Sequence, residues 1–424
     1  MNMKVFYSVQ VSNTTIIDNE PKWMLRNDAC VNIAIGIISA ILDIKKDIEF
    51  LIKLPNIDDV IDIDNYEELF ESKYKSNVSF YTEQIPISPI ESRFSFNFDY
   101  HKSCIDIFKD IDVMINDENT LTKNWNVLFN SLKLNIPIVS TNYFLDSPIA
   151  KKVPEKIRYY ERQMESFINS DIAAFQCKVG MDEALEAFDI LYKDRNFIKK
   201  TSVWGVGASY KEISKYHNIE KFDVPTIYFG NRITDTANRY TNWHVFAETI
   251  GKLETNIKYK AIMLNPTHKI SQQQFKEIID LSKGRVEVIP NETKFTRDEY
   301  LKFINKSHIS CNLFVNEVHG GVTSVEAGLA KNIVIMPNVN NYKYKVEKYS
   351  PNYVFAFDIE NNKIDTKKLA EIIEYAFSKI GTKEYNYWSE ESFKIHYSES
   401  YEMASERIID DLDYLMKLRK SNHD

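Results

Sequence analysis

Short apolar runs alternate with amphipathic segments along most of this 424-residue chain. Residues 3–9 (MKVFYSV) open with an apolar and aromatic run. From Asn27 to Leu42 the spacing turns helical, with Asn27 or Asp28 as the cap, and the run IEFLIKL follows. VSFYT, DVMIND, IPIVSTNYF, DIAAFQ and TSVWGVG continue the strand series, separated by amphipathic stretches such as NWNVLFNSLKL and MDEALEAFDILY. This alternation predicts a mainly parallel sheet with helices on both faces. Residues 210–223 are polar and charged and are expected to form a connector. A second cycle then starts at PTIYFGNR and runs through KAIMLNP, VEVIP, ISCNLF, IVIMP and YVFAFD, with helices between most of the strands. The expected organisation is a first α/β domain over 1–209, a connector over 210–223, a second doubly wound α/β domain over 224–382, and helices over 383–424 that cross back toward the first domain. Two such domains are expected to face each other across a cleft, with the C-terminal helices packing across both.

Composition narrows the class. The 11 glycines and 12 prolines exclude collagenous and linker-rich chains, since about 7% glycine is usual. Each glycine therefore marks a place worth reading separately. A net charge of −8 gives no overall basic field for nucleic acid or anionic membrane. Cys30, Cys104, Cys177 and Cys311 lie far apart without a CxxC pair, which argues against a zinc ribbon or a dense disulfide scaffold and fits a reducing cytoplasm. No apolar run reaches the length of a membrane span, so a soluble protein without membrane insertion is expected.

The densest chemical signal is Asn316-Glu317-Val318-His319-Gly320-Gly321-Val322-Thr323-Ser324-Val325-Glu326-Ala327-Gly328, between the strand ISCNLF and a helix beginning near Val322. A Gly-Gly turn feeding a helix leaves unpaired N–H groups pointing outward with the positive end of the dipole behind them, which suits a phosphate. Thr323 and Ser324 add hydroxyl donors, and Glu326, one turn in, can accept from sugar hydroxyls. A tight strand-to-helix turn with a solvated glutamate is the plainer alternative. The second cluster opens the same domain: Gly230, Arg232 and Arg239 lie between a strand and the helix that begins near Trp243. Two arginines in such a loop can neutralise a diphosphate.

The strand-G-x-R pattern, followed about 90 residues later by a Gly-rich turn and SVEAGLAKNIVIMP, resembles the donor half of the GT-B glycosyltransferases of the retaining, glycogen-phosphorylase-like group. The likeness covers about residues 224–340 in motif and the N-terminal half only in architecture. It implies two Rossmann-like domains, a nucleoside-diphosphate sugar as donor, with UDP-sugar expected, and neither cofactor nor metal. Carried over, Arg232 and Arg239 hold the diphosphate, Gly320 and Gly321 present amides, and Glu326 binds the ribose. The family's paired glutamates are usually separated by seven residues, whereas eight separate Glu317 from Glu326, so His319 is an alternative occupant of the Glu317 position. Arg239 is not followed by the usual glycine, and Asn242 is an alternative there. TSVEAGLAKNIVIM is also similar to the matching segment of the DNA α-glucosyltransferases of T-even bacteriophages, which implies a modified DNA base as acceptor.

In the N-terminal half, Asp117 and Glu118 end the strand DVMIND and Asp146 follows IPIVSTNYF, each placed to orient or deprotonate an acceptor hydroxyl. Trp23, Arg26 and the aromatic segment 93–100 can stack on and clamp an acceptor, although a buried strand explains the aromatics equally well. Asp62-Ile63-Asp64 and Asp110-Ile111-Asp112 are read as ordinary acidic triplets, not metal motifs. Asp117, His319, Arg232 and Arg239 are the catalytic candidates. The leading reading is a retaining glycosyltransferase acting on DNA or a glycan. A non-catalytic nucleotide-sugar binding module and a nucleotide-sugar epimerase are the competitors.

Overall fold

The computed structural model describes the chain except residues 1, 12, 19, 27, 88–91, 93–94, 143–156, 206, 232, 234–240, 265–269, 290–294, 316–320, 361–362 and 422–424. It divides into two units, the first made of Met1–Val206 with Tyr401–Asp424 and the second of Gly207–Ser400.

In the first unit the strands are β1 (Met3–Ser8), β2 (Thr14–Ile17), β3 (Glu20–Trp23), β4 (Ile48–Pro55), β5 (Val78–Glu83), β6 (Val113–Asn116), β7 (Ile138–Asn142), β8 (Ile172–Phe175) and β9 (Thr201–Val203). Seven of them form a parallel sheet in the order β5-β4-β1-β6-β7-β8-β9, while β2 and β3 pair as an antiparallel hairpin. Side chains alternate across β1, so Val5 and Tyr7 join one core and Phe6 the other. Phe6 meets Phe108 and Trp125 edge-on at 5.3 and 5.2 Å. Burial on both faces is the state expected of a parallel strand.

The helix Ala29–Ile44 is capped by Asp28, whose carboxylate accepts from the Cys30 and Val31 amides. It packs against the Tyr401–Ser421 helix, where Gly36 admits the Tyr401 ring. That last helix is tied into the first unit by Asp411, which accepts from Lys200 Nζ and Trp204 Nε1, both at 2.8 Å.

The second unit holds β10 (Thr226–Phe229), β11 (Lys260–Leu264), β12 (Val286–Ile289), β13 (Ile309–Cys311), β14 (Ile333–Pro337) and β15 (Ala356–Phe357) in the parallel order β12-β11-β10-β13-β14-β15. In each sheet the chain works outward in one direction and then returns to start on the other side of its first strand. The reversal falls between β1 and β6 in one sheet and between β10 and β13 in the other. At such a point two neighbouring connections leave in opposite directions and uncover the strand ends.

Several segments differ from the sequence-based expectation. The expected connector 210–223 includes the helix Tyr210–Ser214, with Ile213 buried in the second unit's core. Of the tail over 383–424, the helix Lys383–Tyr397 stays with the second unit and Tyr401–Ser421 belongs to the first. Residues 98–103 of the aromatic region form a helix, because Asn97 caps it through the Tyr100 amide, and Phe96 packs edge-on to Trp125 at 4.8 Å. The polar stretch after β1 contains the β2–β3 hairpin, and a helix Asn340–Tyr349 intervenes before β15. Among the described residues no helix is long and apolar enough to cross a membrane.

Gly328 lies where the Val322–Leu329 helix meets the Lys383–Tyr397 helix. A Cβ there would stand 2.4 Å from His396 Cγ and Nδ1. These atoms sit at the root of a buried ring and cannot swing aside, so Gly328→Ala is expected to cost about 1–3 kcal/mol. Chemical denaturation of Gly328→Ala alone and in a His396→Ala background checks this, the penalty shrinking in the second.

Candidate donor site at the second unit's strand reversal

β10 is buried throughout and is followed by Gly230, where a Cβ would stand 3.2 Å from the Tyr228 ring and 3.8 Å from Thr323 Cβ. Asn231 follows, and across the reversal Asn312 follows β13; both are buried. Thr323, in the first turn of the Val322–Leu329 helix, closes a ring with them. Its hydroxyl donates to Asn231 Oδ1 at 2.7 Å, Asn312 Nδ2 donates to Thr323 Oγ1 at 3.3 Å, and Asn231 Nδ2 donates to Asn312 Oδ1 at 3.4 Å. Three elements remote in sequence are thereby pinned around one helix start.

Gly321 occupies the cap position of that helix and, having no side chain, makes no capping bond. A Cβ on Gly321 would be 2.7 Å from the Phe314 ring. Ser324 turns its hydroxyl back to the Gly321 carbonyl at 2.6 Å, and its amide donates to the same oxygen at 3.0 Å. The helix therefore begins on Val322 and Thr323 with no side-chain cap, the arrangement that favours an anion.

Glu326, one turn further on, is buried and held on both oxygens. Arg297 Nη1 pairs with Oε1 at 2.5 Å and the Tyr300 hydroxyl donates to Oε2 at 2.7 Å. Arg297 also binds Glu212 from the Tyr210–Ser214 helix at 2.9 Å. Burial is the largest influence on Tyr300 and, together with Glu326, pushes its hydroxyl well above the ordinary tyrosine range, so it stays a donor. Asn242, with a left-handed backbone (φ 56°), spends its amide on the Leu313 carbonyl at 2.8 Å, which braces the loop after β13. Arg232, Arg239, Glu317, His319 and Gly320 lie outside the described residues.

The first unit's reversal carries a second polar cluster at the ends of β1, β6 and β7. Asp117 is buried and accepts the Thr141 hydroxyl on Oδ1 at 2.6 Å. Burial pushes its carboxyl up to about 7, against the Thr141 and Tyr7 hydrogen bonds and with a further push from Glu118. Glu118 points the other way and is buried in an ion pair with Lys53 at 2.9 Å, with the Ser8 hydroxyl donating to the same oxygen at 3.1 Å. Lys53 also pairs with Glu83 at 3.4 Å, and His101 Nε2 stands 3.3 Å from the other Glu83 oxygen. Burial pushes Glu83 up, but His101 and Lys53 outweigh it and hold the carboxyl below the ordinary range.

Three sequence-derived acceptor candidates sit differently from the expectation. Trp23 is wholly buried in the first unit's core, leaving no ring face for stacking. Glu118 is neutralised by Lys53. Arg26 is half-exposed and pairs with Glu68, while its amide donates to Asp62 at 2.8 Å. Asp146 lies outside the described residues. Asp62 staples the Leu25 and Arg26 amides, and Asp112 binds the Lys4 amide and Arg419. Among the described residues no group of three or more metal-ligating side chains comes together.

No protein-family model matches the chain, and no curated protein sequence matches it. Solved structures do. A glycosyltransferase from Rickettsia africae is similar over 98% of this chain and 99% of its own, at 14% identity and TM-score 0.62. An E. coli trehalose-6-phosphate structure bound with UDP-2-fluoro glucose is similar over 96% and 98%, at 12% identity and TM-score 0.66. A trehalose-6-phosphate synthase analysed for glycosyl transfer with retention is similar over 97% and 99%, at 12% identity and TM-score 0.65. The fold is GT-B.

Within this GT-B chain, Gly230, Gly321, Val322, Thr323, Ser324 and Glu326 gather in the second unit, and Asp117 belongs to the first. Sequence reasoning passed over Asn231, Asn312, Arg297, Tyr300 and Glu212. An asparagine within two residues of the end of an apolar strand, twice, was the legible sign of the first two. Arg297 sits inside an ordinary capping box with Thr296 and Glu299 and gave none.

Thr323→Val removes the hub of the asparagine ring and strands buried polar groups. A loss of about 1–3 kcal/mol is expected in chemical denaturation. For Asp117 the folded-state carboxyl titrates near 7 rather than near its ordinary value, so the folded chain holds a proton that the unfolded chain has released. Stability therefore falls as pH rises from about 4 to about 7, by up to about 1.4 kcal/mol per pH unit. Asp117→Asn should flatten that window and be the more stable variant above pH 7, as measured by denaturation at a series of pH values.

Proposed function

We propose that the chain is a nucleotide-sugar-dependent glycosyltransferase that moves a sugar, with retention, from a UDP-sugar to an acceptor hydroxyl. The observation that carries this is the uncapped helix start at Gly321–Thr323, pinned to the ends of β10 and β13 at the strand reversal of a GT-B fold. Departure of a nucleoside diphosphate builds negative charge on its β-phosphate. Amides and cations already in place lower that barrier more than they lower the ground state. The Val322 and Thr323 amides supply the first kind of group, and Arg232 and Arg239 are assigned the second, so the reading needs no metal ion. Glu326 is assigned the ribose hydroxyls. His319, Gly320 and Glu317 adjoin the transferring sugar in this reading.

UDP as leaving group is supported by the similar structure that holds UDP-2-fluoro glucose, and retention by the synthase analysed for it. Retaining transfer on one face of the sugar lets the departing phosphate take the acceptor proton, so no protein nucleophile is required. Asp117, buried and protonated up to about pH 7, is assigned to the acceptor hydroxyl. The net charge of −8 favours a glycan or small sugar as acceptor over duplex DNA.

The test is nucleoside diphosphate release from a panel of nucleotide sugars, with glycan acceptors and with hydroxymethylated DNA in parallel. Release stimulated by DNA, with affinity falling steeply as salt rises, would reassign the acceptor to a modified base. In calorimetry, Glu326→Ala should weaken UDP binding about 10- to 100-fold, the range of a charged hydrogen bond. Unchanged UDP binding by both Arg232→Ala and Glu326→Ala would remove the donor site from this position.

A further inference from the structure

The strand ends of the first unit carry a buried row of charged and polar groups that the donor chemistry does not use. Across the sheet order β5-β4-β1-β6-β7 the row runs from Glu83, the last residue of β5, through Lys53 in β4, Ser8 at the end of β1 and Glu118 just past β6, to Thr141 in β7. Ser8 is in register with Lys53 on one side and Asn116 on the other. Lys53 Nζ meets Glu118 at 2.9 Å and Glu83 at 3.4 Å, and at 3% exposure the lysine acts on a ligand only through these partners. Burial pulls the Lys53 ammonium down, but Glu118 and Glu83 outweigh it and hold it above the ordinary range. One cation thus serves two glutamates. Asp117, next to Glu118 in the chain, has no ion pair among the described residues. It faces the Thr141 and Tyr7 hydroxyls and Glu118, which adds to the upward push of burial. Behind Glu118 stand Lys53 and the Ser8 hydroxyl, and behind Lys53 stand Glu83 and His101 of the Phe98–Ser103 helix, whose Nδ1 lies 2.8 Å from the Tyr81 hydroxyl.

We infer that Lys53 is a positioning residue of the acceptor site: by drawing the Glu118 side chain toward β4 it leaves Asp117 as the carboxyl presented to the acceptor hydroxyl, and it acts on Asp117 through Glu118. This rests on the assignment of Asp117 to the acceptor. A buried ion pair adds little net stability over apolar residues of the same volume, so stability alone does not account for a lysine between two glutamates. The effect on Asp117 has a definite sign. Glu118 pushes the Asp117 carboxyl up, and the cation beside Glu118 opposes that push. As neighbours, the two carboxyls titrate as a pair. Removing the cation raises the pH at which the pair takes up its first proton, whichever residue holds it, and removing the Glu118 carboxyl lowers it. A purely structural clip between β4 and the end of β6 would not give shifts of opposite sign.

The experiment follows the aspartate and glutamate carboxyl carbons of the full chain by NMR across pH, for the native sequence, Lys53→Met, Glu118→Gln and the double variant, with Asp117→Asn as the assignment control. The same proteins are assayed across pH for UDP binding and for sugar transfer. In the native chain the first proton should go onto Asp117 at about 7. Lys53→Met should raise the midpoint of the pair by about one pH unit and Glu118→Gln should lower it by about as much, the lower end of what a nearby charge does. In the Glu118→Gln background, Lys53→Met should move Asp117 by less than about a third of a unit, because its route is gone. Glu118→Gln keeps the shape of the side chain, so it remains informative if Lys53→Met fails to fold. The pH profile of transfer should move with the carboxyl midpoint in each variant. Shifts of the same sign in the two single variants, no shift, or an undiminished Lys53→Met shift in the Glu118→Gln background would overturn the role of Lys53. The expected shifts with a transfer profile that ignores them would overturn the assignment of Asp117 to the acceptor and the positioning role built on it. A chain that shows the expected shifts but binds no UDP and transfers no sugar would overturn the proposed function and uphold the link from Lys53 through Glu118 to Asp117.

Discussion

Parallel strands covered by helices on both faces leave polar side chains one place to go, the ends of the strands. The polar clusters at the two strand reversals follow from that constraint. β1 has no wet face, because its alternate side chains feed two separate cores, and β10 is buried along its whole length. Polar groups at the ends of the apolar strands include Asn116 and Asp117 in one unit and Asn231 and Asn312 in the other. The reversal of strand order draws the neighbouring connections apart, so these ends are where a ligand can be met. The asparagine–threonine ring then turns a general property of the fold into a defined helix origin.

The two units treat buried charge in opposite ways. Asp117 and Glu118 are adjacent in the chain, yet one lies against the Thr141 hydroxyl without a cation and the other against Lys53. Burial without a cation pushes the Asp117 carboxyl up, whereas a cation beside a carboxylate offsets the cost of burying it. Direction along the backbone, one residue to each side, thus separates a carboxyl that burial pushes up from one that a cation pairs. In the second unit the carboxylate that matters, Glu326, is of the paired kind, with Tyr300 added to Arg297 so that neither oxygen is left without a donor.

The strands and most of the helices were legible because their apolar periodicity is local, and the helix beginning at Val322 was legible for the same reason. Where local pattern misled, a specific contact was responsible. Asn97 converts the residues after it into a helix, and the run NNYKYKVEKY is too polar overall to announce the helix it forms. Residue type was readable at Trp23 and Glu118, but not the direction in which either points. The partners of Glu326 lie 29, 26 and, through Arg297, 114 positions away, and such pairings leave no periodic trace. Gly321 stands at the start of the Val322–Leu329 helix, whereas Gly328, counted with it, owes its identity to the His396 ring.

The first unit is not continuous in the chain, since the whole of Gly207–Ser400 is inserted ahead of its closing helix. Lys200 and Trp204 wait for Asp411, and Gly36 for Tyr401. During synthesis at roughly 5–20 residues per second, the intervening stretch takes on the order of ten to forty seconds to emerge. The second unit is therefore the first to have its full set of elements, although it comes later in the sequence. For that interval the apolar face of the Ala29–Ile44 helix is without its final cover, which makes it the surface most in need of protection while the chain is still attached to the ribosome.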